Sequence, residues 1–296
     1  MRKITFSLIC LLTTAFVFAQ DSDEEEKKEG WTNSGNVSLL FNQSAFNAEW
    51  TGGGSTNYAG NLTVTYDLNY KKGKITWDNR FMGDFGMTQI RGEEFGRKTN
   101  DRLEVNSIFG RQIKETLWSY SFFLNFRTQF AKGYKYNEDV APITRVEYTR
   151  FLSPGYLQFG PGVLWKKNDN LKINFAPATA RIIFVDSRFT STPGYVDGDY
   201  FGVDANKSSR FEFGASLSGY AKFNIMEDIS VENTLNLYSN YLEDTQNVDI
   251  DYTMNLVMNV NKVISANLIF QAIYDDNAVA GFQIREVFGV GVNFGI

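Results

Sequence analysis

The 296-residue chain contains no histidine, the side chain most often used as a general base near neutral pH and the commonest metal ligand. Its absence excludes a Ser-His-Asp hydrolase, including a barrel phospholipase, and an Asp-His barrel protease. Zinc sites built on His or Cys fall for the same reason. The one cysteine, Cys10, lies inside an N-terminal apolar run, so the mature chain has no disulfide. A lipid anchor would want Gly or Ala before that cysteine, and Ile9 stands there instead. Beyond this first run no stretch of 18 apolar residues occurs, which rules out helical membrane spans. The net charge of -5 can come largely from the segment Asp21 to Glu29, so no basic face recommends nucleic acid as a partner.

What is present begins with a signal-peptide pattern. Met1-Arg2-Lys3 leads into an apolar run from Ile4 to Phe18, and Val17 and Ala19 occupy the two small-residue positions that a signal peptidase reads. The cut is expected after Ala19, with the mature chain starting at Gln20. The run is too short to span a bilayer and is followed at once by Asp21, Asp23 and Glu24. Residues 20–30 read as an acidic periplasmic leader and 31–296 as a single barrel domain.

From Tyr58 onward, Gly60, Leu62, Val64, Tyr66, Leu68 and Tyr70 share one parity, while Asn61, Thr63, Thr65, Asp67 and Asn69 share the other. A helix would need apolar spacings of three and four, so this period of two marks a strand with one apolar and one polar face. About twelve such segments follow: 34–46, 58–70, 75–87, 100–110, 117–130, 156–166, 171–185, 209–223, 229–242, 250–260, 264–274 and 282–296. Each has roughly the length of a tilted membrane strand. Short and long connections alternate between them, the pattern of periplasmic turns and outer loops in an antiparallel transmembrane barrel. An even count places both termini on the periplasmic side. Loop parity assigns 143–152 to an outer loop, whereas a hidden strand within 186–208 would raise the count to fourteen.

In lipid the apolar parity must face outward and the polar parity must line the lumen. Asp67, Asp78, Arg80, Asp84, Arg102, Glu104, Arg127, Glu212, Glu232 and Arg285 all fall on the polar parity and are the candidate lumen-lining residues. Across the loop near Met87 to Asn100, Asp84 is expected beside Arg102 and Arg80 beside Glu104. Glu286 departs from the rule, near an outer strand end or at a bulge. The aromatic content of 16 % is concentrated at strand ends: Tyr66, Tyr70, Trp77, Trp118 and Trp165 toward the short turns, Tyr58, Tyr241, Tyr252 and Tyr274 toward the long loops. Such rings suit the two membrane interfaces. The alternating last strand, from Phe282 to Ile296, is the element that the outer-membrane assembly machinery engages. Outer-membrane lipid, that machinery and other outer-membrane proteins are thus the expected partners.

Several stretches are similar to a Bacteroidota family of uncharacterised outer-membrane proteins of about this length. They are Gly30-Trp31, Phe151-Leu152-Ser153-Pro154-Gly155-Tyr156, Asn174-Phe175-Ala176-Pro177, Leu237-Tyr238-Ser239-Asn240-Tyr241-Leu242 and Tyr274-Asp275-Asp276. The resemblance implies a membrane barrel and carries no activity, ligand or catalytic residue.

The lumen admits two readings, a narrow polar channel or an interior filled by side-chain pairs, and a strand number between eight and sixteen does not decide between them. Asp186, Asp197, Asp199, Asp204, Asp244, Asp249, Asp275 and Asp276 crowd the outer loops. They could hold calcium, although no EF-hand spacing is present and turn formation explains aspartate there equally well. After Pro177 the apolar parity switches, from Ile173 and Phe175 to Ile182 and Phe184, which predicts a bulge that bends the wall or a lateral opening. No catalytic, cofactor or metal motif emerges. The expectation is a non-enzymatic outer-membrane barrel, a porin-like narrow channel or a structural wall component, with an accessory subunit of a larger outer-membrane complex as the alternative.

Overall fold

The computed structural model describes residues 29–47, 55–137, 139 and 142–295. The expected signal peptide, its cleavage after Ala19, the leader up to residue 28 and the terminal Ile296 lie outside these residues. Twelve strands close into an antiparallel barrel: β1 (Gly30–Ser44), β2 (Asn57–Lys72), β3 (Ile75–Ile90), β4 (Arg97–Gln112), β5 (Trp118–Thr128), β8 (Gly155–Asn168), β9 (Leu171–Phe184), β10 (Ser209–Met226), β11 (Ile229–Asn240), β12 (Val248–Asn259), β13 (Ile264–Asp275) and β14 (Val279–Gly295). Strand follows strand around the wall, and β14 closes onto β1. Two further strands, β6 (Gly133–Asn137) and β7 (Thr144–Thr149), pair with each other outside the barrel.

That hairpin is the segment that loop parity assigns to an outer loop. The fourteen-strand alternative fails, because 186–208 holds the short helix α1 (Ser187–Thr190) and turns rather than a wall strand. Asp186 caps that helix by accepting the Arg188 N–H, and φ is positive at Gly194, Gly198 and Gly202. This turn chemistry cannot continue a ladder.

Alternation determines what each face meets. Trp31, Leu39, Phe41, Leu62, Phe81, Phe122, Phe211, Ile284 and Phe288 are exposed on the outside, while Asp78, Asp84, Arg102, Glu104, Arg181, Glu212 and Asp251 are buried. A soluble protein of this size would invert that distribution. Toward the short turns, Trp31 lies between Tyr70 and Trp77, with ring centroids 5.0 and 5.8 Å away. Toward the long loops, Tyr274 packs on Phe282 at 5.3 Å. Two outward polar residues, Asn79 and Ser107, satisfy each other and the Trp77 indole N–H at 2.8 Å, as polar groups on an apolar wall must.

The bulge lies where the parity switch places it. The β9 register slips against β10 between Gly214 and Ser216 and against β8 between Phe159 and Val163. Pro177, which has no N–H to give, sits in the gap. Because β9 is paired to both neighbours before and after the slip, the bulge bends the wall without parting it.

Candidate functional site

The interior is organised as tiers of charge, rising from the short-turn rim to the long-loop rim. Lowest, Asp78 of β3 accepts from Lys166 of β8 at 2.6 Å and from Lys172 of β9 at 3.1 Å. Above it, Arg80 donates to Glu232 of β11 at 2.6 Å, lies 3.7 Å from Asp67 and stacks its guanidinium over Tyr220 at 4.9 Å. Higher again, Arg102 of β4 pairs with Glu104 and reaches Asp251 of β12 at 3.1 Å, and Arg127 of β5 binds the same Asp251 at 2.5 Å. The top tier joins Arg181 of β9 to Glu212 of β10 at 2.6 Å and to Asp249 of β12, with Arg210 on Glu212 at 2.9 Å. Arg285 of β14 connects to Asn61 at 2.8 Å and to Asp84 at 3.6 Å.

Two of these contacts set the shape of the lumen. In the closed order of twelve strands β3 and β11 are six positions apart, and so are β4 and β12; each pair stands on diametrically opposite walls. Arg80–Glu232 and Arg102–Asp251 therefore cross the full interior at two depths. Each contact closes the lumen along this direction, because the two side chains meet between walls on opposite sides of the barrel. Between the upper tiers a cavity of about 70 Å³ remains, room for a few waters.

The ten residues expected in the lumen occupy these tiers, with different partners in one respect. Asp84 and Arg102 do face each other in register. Arg80, however, lies opposite Asn106 and turns to Glu232, while Glu104 is taken by Arg102 and by the amides of Asn106 and Asn125. Cross-strand arithmetic cannot see a contact made across the barrel. Sequence reasoning also missed Lys166, Lys172, Arg181 and Asp251, and placed Asp249 in an outer loop rather than on β12 beside Arg181. The signal for Asp251 was available, since it shares the polar parity opposite Ile250 and Tyr252. Arg181 was hidden by the bulge, beyond which the inward parity changes.

Above the third tier a chamber of about 380 Å³ opens toward the long loops. Its floor is Arg102 and Arg127, and its wall includes Gln271 and Gln283. Over it sits an aromatic cap, in which Tyr156, Ile183, Val185, Tyr200 and Val203 form a buried cluster. Phe189 stacks on Tyr200 at 5.0 Å, and the Tyr200 hydroxyl donates to the Tyr148 carbonyl at 2.6 Å, tying the 185–208 loop to the β6–β7 hairpin. Burial pushes the Tyr200 phenol up. The Arg188 backbone N–H and then the Arg150 guanidinium hold the Asp186 carboxyl below the usual aspartate range, and Lys132 does the same for Glu147. Asp197, Asp199 and Asp204 are used within their own loop, on the Ala205 and Val196 N–H groups and on Lys207.

A sequence profile of the family described as "Protein of unknown function (DUF3078)" matches residues 41–134. No curated protein matches the chain. Among solved structures, similarity extends to the COG4313 outer membrane channel from Pseudomonas putida F1, at 9% identity and a TM-score of 0.38, covering 94% of this chain and 98% of that one. It extends also to the translocator domain of the autotransporter NalP from Neisseria meningitidis, at 8% identity and a TM-score of 0.35, covering 98% and 97%. The outer membrane channel DcaP of Acinetobacter baumannii is similar at 9% identity and a TM-score of 0.31, covering 90% of this chain and 96% of that one.

Proposed function

We propose that the protein is a non-enzymatic outer-membrane barrel held closed by its own side chains, a structural component of the wall with both termini on the periplasmic side. The reading rests on the two ion pairs that span the full lumen, Arg80–Glu232 and Arg102–Asp251. A conducting pore would keep its charges on the wall and its axis wet. Support for the membrane comes from the exposed apolar belt and from the aromatic residues at both of its margins. Recognition of the alternating final strand by the barrel assembly machinery belongs to the same reading.

The experiment is reconstitution of the purified mature protein in planar bilayers after confirming that it fractionates with the outer membrane and migrates differently on gels when heated. The wild type is expected to show no steady single-channel current. A stable open conductance would overturn the closed reading, and recovery from the soluble periplasmic fraction would overturn the location.

A further inference from the structure

Three carboxylates converge at the outer end of the lumen. Asp249 near the start of β12, Asp275 at the end of β13 and Asp276 in the turn to β14 bring ligand oxygens within 4.8 Å of one another. Unlike Asp197, Asp199 and Asp204, they are not consumed by the turns of one loop.

Their existing partners do not satisfy the group. Asp249 accepts from Arg181, and Asp276 accepts from the Asn247 side-chain amide. Arg181 is already shared with Glu212. Asp275 is 7 % exposed, and its buried Oδ1 has no hydrogen-bond partner among the described residues. A carboxylate withdrawn from water needs a hydrogen bond or a counter-charge, and two like charges beside it make the need greater. Asp275 also borders both the 70 Å³ cavity and the 380 Å³ chamber, so a small solute entering from the loops reaches it without crossing the tiers below.

The donor set defines the class of ligand. Three carboxylates and water are hard oxygen donors, and they come from a strand start, a strand end and a turn rather than from a rigid octahedron. Ca²⁺ accepts six to eight such oxygens at variable angles, whereas Mg²⁺ demands near-ideal octahedral geometry and gives up its water reluctantly. We propose that Asp249, Asp275 and Asp276 form a calcium site that fastens β12 to the β13–β14 hairpin at the outer rim of the barrel. The proposal does not depend on whether the barrel conducts.

The test uses the full mature protein in a neutral detergent, stripped with EDTA, then titrated with CaCl₂ or MgCl₂ while thermal unfolding and bound ⁴⁵Ca²⁺ are followed. Sites of this kind bind at about 10⁻⁴–10⁻³ M. One ion per chain is expected, and at ten times the Kd the apparent folding constant should rise about elevenfold, with Mg²⁺ giving less. Asp275→Asn should abolish both signals, and Asp244→Asn, in the neighbouring loop, should keep them. If Asp275→Asn does not fold, Asp276→Asn, altered at an exposed side chain, must lose the response in its place. Absence of a calcium response in the wild type overturns the site. A response retained in both variants overturns it equally, by placing the ion elsewhere.

Discussion

Replacing Arg80 with alanine removes the cation from the lower of the two cross-lumen contacts. Glu232 and Asp67 lose their nearest cation, with Lys172 and Lys222 left as the remaining positive charges acting on Asp67, and Tyr220 loses the guanidinium stacked on its face. Breaking a fully buried ion pair from one side costs about 3–5 kcal/mol. The Arg80 and Glu232 side chains are 20% and 25% exposed, so water re-solvates part of what is uncovered, and about 1–3 kcal/mol is the appropriate range. Urea unfolding in detergent, read by the loss of heat-modifiable migration, measures this directly. The double variant Arg80→Ala/Glu232→Ala should recover part of the loss, because the stranded anion goes with its partner. Conductance is a separate matter. Arg102 and Arg127 still bridge to Asp251 one tier higher, so Arg80→Ala alone should remain silent in a planar bilayer, and only the triple variant Arg80→Ala/Arg102→Ala/Arg127→Ala should pass current. If Arg80→Ala leaves stability unchanged, or if it opens the barrel by itself, the cross-lumen arrangement is wrong.

Leu62 is exposed on the outer wall near mid-depth; Leu62→Arg should cost about 2–4 kcal/mol, seen as a loss of folded protein in vesicles, while Leu62→Phe should be tolerated. Gly291 packs where a Cβ would meet the Leu39 carbonyl carbon at 2.8 Å and the Leu40 Cα at 2.9 Å, so Gly291→Ala should obstruct closure of β14 on β1 and sharply lower the yield of heat-modifiable barrel. The Asp186 carboxyl is depressed in the folded state, so its contribution is present above the ordinary aspartate value of about 3.9 and is lost as pH falls through the depressed one. Hydrogen-exchange protection around 186–190 should hold from neutral pH to about 4 and weaken below it; protection already lost near pH 6 would contradict this.

The strands were legible because a wall with lipid on one side and polar groups on the other imposes a period of two that local reading detects. Tyr58 to Tyr70 alone shows it, and loop parity correctly set 143–152 outside the barrel. The bulge was legible too, from the change of apolar parity after Pro177. What resisted was everything decided across the lumen. Arg80 sits one strand from Glu104 and six from Glu232, and it pairs with the distant one. Nothing in the alternation records which side chains meet across the lumen. The grouping of Asp249 with Asp275 and Asp276 was equally hidden, since eight outer aspartates look alike until the chain brings three of them together.

The seam between β1 and β14 has a different character from the other eleven. It holds six paired positions, Asn36–Phe41 against 290–295, whereas β1 and β2 share fifteen. Every other seam joins strands that follow one another along the wall, while this one must bring together the two ends of the domain, the step with the largest loop-closure entropy. Closure is therefore the late event of assembly, and until it happens β1 and β14 are bare edges open to any passing strand. Glu286 stands exposed on the outer face of β14, beyond the stretch that β1 covers. A charge is a poor neighbour for an apolar strand from another chain, so the residue that breaks the lipid-facing pattern guards the one margin where a second copy could join instead.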